Sequence, residues 1–554
     1  MATVANGRVA RGRPVAALAV TAGTVAPPGP RPAPAPERPS RRTGPGTGSR
    51  SDPRASRPRL HHPVTQAAIL LALSLAVRAP SFRRPFWSPD EGYLGTEAVA
   101  LHHGGRMYAD VVDRKPPLVP WLYEACFALT GPGTLWLVRV CAVLALTVTA
   151  VFVARLAAVA WGRSAALPAG VLTVALSAAL PPPDAMAATF EIFMLPATAA
   201  AMYYGARHRF LAAGLALAVA TLTKQVGLAP LLPLAVMVLT SPRRRRLRHG
   251  AALAAGLLLP IAGCALLLGV RPFVFWIFLS SGSYADSPQS VAAMCGHAAG
   301  ILLRLAVVLA GCAPLLPRLL PRLRARRQLS SFDGVLLLWL LASAAGVSAG
   351  FRFYGHYFLQ LVPPLALLAV RAVSAAPRHP RSKRAPSQRG GVAAWFGRSR
   401  ATAFAVACAV AVCAAFTAGA LRSQPPELGK SLAVASAVDG YSKPGQRVFL
   451  WGMHPEVYWL AGRPAGSRYL TAGLLTNFSG GADVHRVGAR YAVPGAWAGL
   501  RRELAAAPPC LVVDDSAGTP YPLADYPPLA RLVDRDYLPV AVVQGARIYR
   551  RAGC

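Results

Sequence analysis

Acidic residues are what this 554-residue chain lacks: 22 Asp and Glu stand against 59 Lys and Arg, a formal net charge of +37. So one-sided a charge first suggests nucleic acid. A hydrophobic content of 54% with a mean hydropathy of +0.40 excludes that class and large soluble enzymes alike. The basic residues fall in the gaps between long apolar runs, as the positive-inside rule expects. Cysteine is scarce too. The nine cysteines are scattered with no CxxC, so they specify neither a disulfide framework nor a metal site. Cys126, Cys141, Cys264, Cys312, Cys408 and Cys413 lie in or near apolar runs as small hydrophobes, whereas Cys510 and Cys554 can pair if their segment is extracytoplasmic. No P-loop and no GxGxxG between strand and helix is present, which speaks against a nucleotide substrate. No cofactor is expected. Asp90, Glu91 and Asp110 are the one set that could take a divalent ion.

What is present is a series of apolar runs. Residues 1–60 precede them as a basic tail with eleven Arg and only Glu37 and Asp52, predicted to be disordered and cytoplasmic, with no signal-peptide core. Spans are predicted near 63–82, 133–155, 164–181, 187–206, 209–223, 226–241, 250–270, 296–317, 332–350, 355–374 and 401–421. Those at 164–181, 209–223 and 226–241 fall short of the ~20 residues that cross a bilayer upright, so they can be re-entrant or broken. With the N-terminus inside, the cytoplasmic loops are Arg207–Arg209, Arg243–Arg248, Arg318–Arg327 and Arg371–Arg400, all basic. The opposite loops hold nearly all the acids, with Asp184, Glu191 and Asp286 at the same face and Asp333 as the exception. The fold class expected is mainly α: a polytopic helical bundle of about eleven spans (61–421), followed by a small extracytoplasmic α/β domain (422–554). In that last domain Val448–Trp451, Cys510–Val513 and Val540–Val543 read as strands between Pro/Gly turns, and Asp514-Asp515 reads as a solvated turn.

The scarce acids collect in one place. Ten Asp or Glu lie between the tail and Leu421, and six of them fall in the outer loop 83–132: Asp90, Glu91, Glu97, Asp110, Asp113 and Glu124. The loop is too long to be a plain connection, carries the stiff step Lys115-Pro116-Pro117, and has aromatics that can rest in the lipid interface. Acids beside a basic residue at a membrane surface suggest a site for a charged ligand. Adjacent residues on a helix point about 100° apart, so Asp90 and Glu91 cannot work as a close carboxylate pair. One of Asp90 and Glu91 is therefore the catalytic candidate and the other structural or acceptor-orienting.

The order of motifs resembles family-39-like membrane glycosyltransferases of the GT-C fold, a group that includes protein O-mannosyltransferases and the aminoarabinose transferase acting on lipid A. The residues that carry the likeness are Asp90-Glu91-Gly92-Tyr93, Tyr108-Ala109-Asp110 and Asp113-Arg114-Lys115-Pro116-Pro117, then Thr189-Phe190-Glu191, Leu222-Thr223-Lys224-Gln225 and Phe351-Arg352-Phe353-Tyr354-Gly355-His356-Tyr357. It covers roughly residues 63–374. The resemblance implies transfer of a sugar from a polyprenyl-phosphate donor to an extracytoplasmic protein, lipid or glycan acceptor, with Asp90 as base and inversion at the anomeric carbon. It implies Lys115 as the contact to the donor phosphate, with Arg352, His356 and Lys224 as further phosphate candidates. Tyr93, Asp110, Asp113, Glu191 and Tyr354 are substrate-binding candidates. Simpler readings stand beside these: Lys115 and Lys224 as interfacial lysines reaching headgroups, the tyrosines as aromatic belt, Glu191 as the partner of a base inside the bundle. The location expected is the bacterial cell membrane, multi-pass, with the bilayer as partner and no nucleic acid. Two other classes compete: a transporter or flippase of a lipid-linked glycan, which would put ionisable residues at mid-membrane and show paired repeats, and a non-catalytic scaffold.

Overall fold

The computed structural model describes residues 62–280, 291–310, 331–374, 411–478 and 486–554. The basic tail, Asp286, the Arg318–Arg327 loop and residues 375–400 lie outside the described residues. Each of the eleven apolar segments holds a helix. The helices are α1 (Pro63–Arg78), α2 (Pro89–His102), α3 (Leu118–Thr130), α4 (Trp136–Trp161), α5 (Ala166–Ala178), α6 (Pro182–Met186), α7 (Phe190–Ala206), α8 (Phe210–Thr223), α9 (Leu231–Leu239) and α10 (Arg243–Leu268). After the short α11 (Val270–Val274) come α12 (Val291–Ala310), α13 (Ser331–Ser348), α14 (Val362–Ser374) and α15 (Ala411–Arg422).

Length separates these helices. Among the described residues four runs are long and apolar enough to cross a membrane: Pro63–Arg83, Trp136–Trp161, Arg243–Leu268 and Ala292–Ala310. The others are shorter, so eleven crossings do not follow from helix length. The Arg243–Arg248 segment, expected as a loop, is instead the first turns of α10. Arginine is a good helix former, and 26 residues rise about 39 Å, more than the ~30 Å hydrocarbon core, so the basic end can stand clear of the lipid. Along the rest of α10, Leu258, Leu259, Leu266 and Leu267 are exposed, the mark of a lipid-facing side. Its other side meets α8 backbone to backbone: a Cβ at Gly214 would lie 2.3 Å from the Leu253 carbonyl, and one at Gly256 would lie 2.4 Å from that of Leu211. Small residues at such crossings replace the hydrophobic drive that lipid does not supply. Asp333, the acid out of pattern, is buried and takes two bonds from Arg371 at 2.9 and 3.1 Å, so its charge is matched within the α13–α14 pair.

Residues 448–551 contribute the strands of a four-stranded mixed sheet in the order β1 (Val448–Trp451), β2 (Leu511–Asp514), β4 (Ala546–Arg551), β3 (Tyr537–Val543). β1 and β2 are parallel; β4 runs antiparallel to both neighbours. β3 and β4 are joined through Gln544 and Gly545, both at positive φ, the pair of left-handed residues that a two-residue hairpin turn requires. Asp515 corrects an expectation: it is buried and held by Lys430 at 2.7 Å, because the chain after β2 turns inward beneath Gly452 rather than out to solvent.

This part of the chain closes on α2. Gly92 has no room for a side chain, since a Cβ there would lie 2.3 Å from Cβ of Glu456, and one at Gly95 would lie 3.2 Å from the Trp459 ring. Thr96 Oγ1 donates to the Pro455 carbonyl at 2.7 Å and Trp459 Nε1 to that of Pro132 at 2.6 Å. The acidic segment 83–132 is therefore an ordered layer between the helical bundle and the sheet.

Candidate active site

Segment 83–132 is organised by its two helices, α2 and α3. Pro89 at the first position of α2 and Asp90 and Glu91 in its first turn suit a helix N-terminus, where a fixed proline φ and negative charge are both favourable. The step from Asp90 to Glu91 turns the two carboxylates apart. Glu91 is fully buried. It accepts the backbone N–H of Trp87 at 2.6 Å and of Ala188 at 2.7 Å, and lies 3.7 Å from the buried Arg139 guanidinium. Arg139 in turn donates to the carbonyls of Arg84 (2.5 Å) and Pro85 (2.8 Å). Glu91 thus ties the loop entrance to the 181–189 connection, and its oxygens are occupied. That connection is also gripped by Arg78, which donates to the carbonyls of Ala185, Met186 and Ala187, and by the Tyr123 hydroxyl on Ala188.

Asp90 faces the other way, into a cavity of about 270 Å³. Its Oδ1 is 3.6 Å from Lys115 Nζ and its Oδ2 is 3.7 Å from His356 Nε2, with 37% of the side chain still open. Burial alone would raise the Asp90 pKa, but Lys115, His356 and Lys224 outweigh it and hold the carboxyl below its ordinary value. Lys115 is presented by a tight turn: Tyr108 adopts a left-handed backbone conformation and its hydroxyl donates to the Lys115 carbonyl at 2.8 Å. Nζ of Lys115 sits 4.5 Å over the Phe190 ring. His356 is fixed by Asp184, which accepts both its backbone N–H and Nδ1, each at 2.8 Å. That bond leaves Nε2 as the ring nitrogen turned to Asp90 and, at 4.0 Å, to Glu191. Lys224 pairs with the buried Glu191 and lies 4.1 Å over the Tyr357 ring.

The cavity wall therefore carries Asp90, Tyr93, Asp113, Arg114, Lys115 and Lys224 among the charged and phenolic groups. Of the residues expected from sequence, Asp90, Lys115, Lys224, Glu191 and His356 converge, and Tyr93 and Asp113 line the same space. The others do not. Glu91 is committed elsewhere, Asp110 is bonded to Arg106 on the exposed turn (3.0 Å to its N–H), and Tyr354 stacks on His356 rather than lining the cavity. Arg352 is buried and is not part of the wall. Because Asp90, Glu91 and Asp110 point to three different sets of partners, they do not form a metal site. Among the described residues no group of three or more His, Cys, Asp or Glu is placed to hold an ion. Sequence reasoning missed Asp184, Gln225 and Arg114 as parts of the site. Asp184 was the one with a signal, a scarce acid directly after three prolines. Gln225 braces the lysine turn by donating to the carbonyls of Arg114 and Ile277 at 2.7 and 3.1 Å.

Glu97 and Asp113 are a second acidic feature of α2 and its following turn. Glu97 is fully buried with neither oxygen hydrogen-bonded; Asp113 accepts the Arg114 N–H at 2.6 Å and its second oxygen is unbonded. Burial first, and Asp113 second, push Glu97 well above the ordinary glutamate range. The folded chain then keeps a proton that the unfolded chain releases near pH ~4.3. Stability from this group is complete below that pH and is lost as pH rises through the raised folded value. Glu97→Gln is expected to melt higher than the parent at neutral pH and to lose part of the parent's decline as pH rises. Parallel melting curves from pH 5 to 8 for both proteins would contradict this.

Residues 114–276 match the family model of the dolichyl-phosphate-mannose-protein mannosyltransferases. That segment contains Lys115, Asp184, Glu191 and Lys224, while Asp90 and His356 lie outside it. Two structures of ArnT from Cupriavidus metallidurans share the fold. The one bound to undecaprenyl phosphate is 16% identical with a TM-score of 0.58, and the apo state is 17% identical with a TM-score of 0.59. Each alignment covers 88% of this chain and 98% of the ArnT chain. No curated protein matches the chain in sequence. The chain thus has the fold of ArnT over most of its length and carries, at residues 114–276, a segment that matches the mannosyltransferase family model.

Proposed function

We propose that the protein moves a sugar from a polyprenyl-phosphate donor to a hydroxyl on an extracytoplasmic acceptor, with Asp90 as general base. The observation that carries this reading is the placement of Asp90 in a cavity between Lys115 and His356. A carboxylate kept ionised stands beside cations suited to a phosphate. Asp90 takes the proton of the acceptor hydroxyl as its oxygen attacks the anomeric carbon. The bond from that carbon to the phosphate oxygen breaks on the opposite face, which inverts the configuration. Lys115 and Lys224 offset the charge left on the phosphate. Glu191 and the Tyr357 ring hold Lys224 in position, and Asp184 does the same for His356. Glu91 acts as a clamp, and the layer formed by 83–132 and 422–554 sits on the extracytoplasmic side with the N-terminus inside. The basic inner loops and acidic outer loop support that orientation. A flippase is less well supported, because the ionisable residues gather at one end of the helices beneath the outer layer.

Lys115→Ala tests the reading. Transfer from a polyprenyl-phosphate sugar in reconstituted membranes should fall by about 10²–10³-fold, as when one group that stabilises developing charge is removed. The acid limb of the pH–rate profile, placed below the ordinary carboxylate range by the cations around Asp90, should move up in this variant. Unchanged transfer would refute the donor assignment. Mass spectrometry of envelope glycans from cells with and without the protein would name sugar and acceptor.

A further inference from the structure

The cavity has two chemically different walls. One, from the outer loop and the helix ends, carries Asp90, Asp113, Arg114, Lys115 and Lys224. The other comes from the chain around the sheet: Met453, Pro455, Thr471, Gly473, Leu474 and Phe478. It bears no charge, and its one side-chain hydrogen-bonding group is the Thr471 hydroxyl. The surface is continuous, since a Cβ at Gly473 would lie 3.3 Å from Thr471 Oγ1 and 3.4 Å from Met453 Cε.

The neutrality of this wall is built, because ionisable groups lie directly behind it and are spent on one another. His454 Nδ1 is 3.1 Å from Glu456 and its Nε2 is 3.7 Å from Asp515. Lys430 bonds Asp515 at 2.7 Å and the Ser431 hydroxyl bonds Glu456 at 2.6 Å. Met453 and Pro455 flank His454, so the chain turns its histidine into this network and its apolar neighbours toward the cavity. The Thr96 bond to Pro455 and the close seat of Glu456 on Gly92 fix this wall relative to the helix that carries Asp90.

We infer that the 453–455 and 471–478 wall is the acceptor subsite and that it selects an uncharged, hydroxyl-bearing ring, that is, a neutral sugar unit. An aromatic edge, a thioether and a leucine suit the apolar face of a sugar, and Thr471 can meet one of its hydroxyls. A charged acceptor would lose its hydration against this wall without gaining a partner. The inference rests on the donor phosphate lying at the Lys115 wall.

The test uses the full chain in lipid nanodiscs and two probes. Saturation-transfer NMR reads neutral methyl glycosides against the matching sugar phosphates, and native mass spectrometry reads undecaprenyl phosphate. Met453→Ala and Phe478→Ala, both at half-buried positions, should each cut transfer to the methyl glycosides at least threefold and leave undecaprenyl phosphate binding intact. Lys115→Ala should do the reverse. Methyl glycosides that bind equally to parent and both wall variants, or no glycoside binding by a chain that still holds undecaprenyl phosphate through Lys115, would overturn the subsite alone. Undecaprenyl phosphate binding indifferent to Lys115→Ala would overturn the donor reading, and the acceptor inference with it.

Discussion

Asp90→Asn should lower the turnover of sugar transfer by about 10³-fold, within the 10²–10⁴ range for loss of a general base, with little change in KM for either substrate. The substitution keeps the size and planarity of the side chain, and the side chain is partly open to the cavity, so the fold should tolerate it. What it removes is the ability to accept a proton. Lys115 and His356 keep the wild-type carboxyl ionised at neutral pH, and an amide cannot replace it there. Asp90→Glu keeps the base but moves it, so it should retain more activity than the amide. The measurement is initial rate against donor and acceptor concentration in reconstituted vesicles, with the melting temperature as control. A loss smaller than tenfold in a normally folded Asp90→Asn protein would remove Asp90 from the role of base.

Glu91→Ala, one residue away, should fail in a different manner. It deletes a wholly buried carboxylate that takes two backbone N–H groups and sits against the buried Arg139. Breaking a buried pair by removing one member leaves the other charge uncompensated and costs about 3–5 kcal/mol, here with two N–H groups orphaned as well. The expected result is a large drop in melting temperature and in the yield of folded protein, with activity lost in proportion. Arg139→Ala should share much of that loss, and the double variant should be less destabilised than the sum of the two, since they remove one interaction. Glu91→Ala with parental melting temperature and lost turnover would instead make Glu91 a catalytic group.

The contrast between these neighbours was partly legible. Helical geometry separates adjacent side chains by about 100°, so one pair of acids could not share one task. Which acid faced the cavity depended on residues far along the chain: Ala188 and Arg139 capture Glu91, while Lys115 and His356 surround Asp90. The same holds for Asp110 and Tyr354, which fit the motif in sequence and yet lie off the cavity wall. Asp110 is turned to Arg106 by the local bend, and Tyr354 is taken up by stacking on His356. Asp515 shows the opposite error, since a polar pair at a strand end looks solvated until the partner Lys430 is known.

Features that depend on local composition were legible from the chain's residues alone. Apolar runs located the helices, the uneven distribution of basic and acidic residues set an expected orientation, and the crowding of scarce carboxylates marked segment 83–132. Each is a property of neighbouring residues, so each survives without knowledge of the fold. Which residues share the cavity, which acid is ionised beside cations and which is clamped, and the uncharged wall that the C-terminal sheet region adds, all depended on the packed fold. Those outcomes come from contacts between segments up to several hundred residues apart, as between Thr96 and Pro455. Packing selects such contacts through shape and charge pairing, and no local pattern records them.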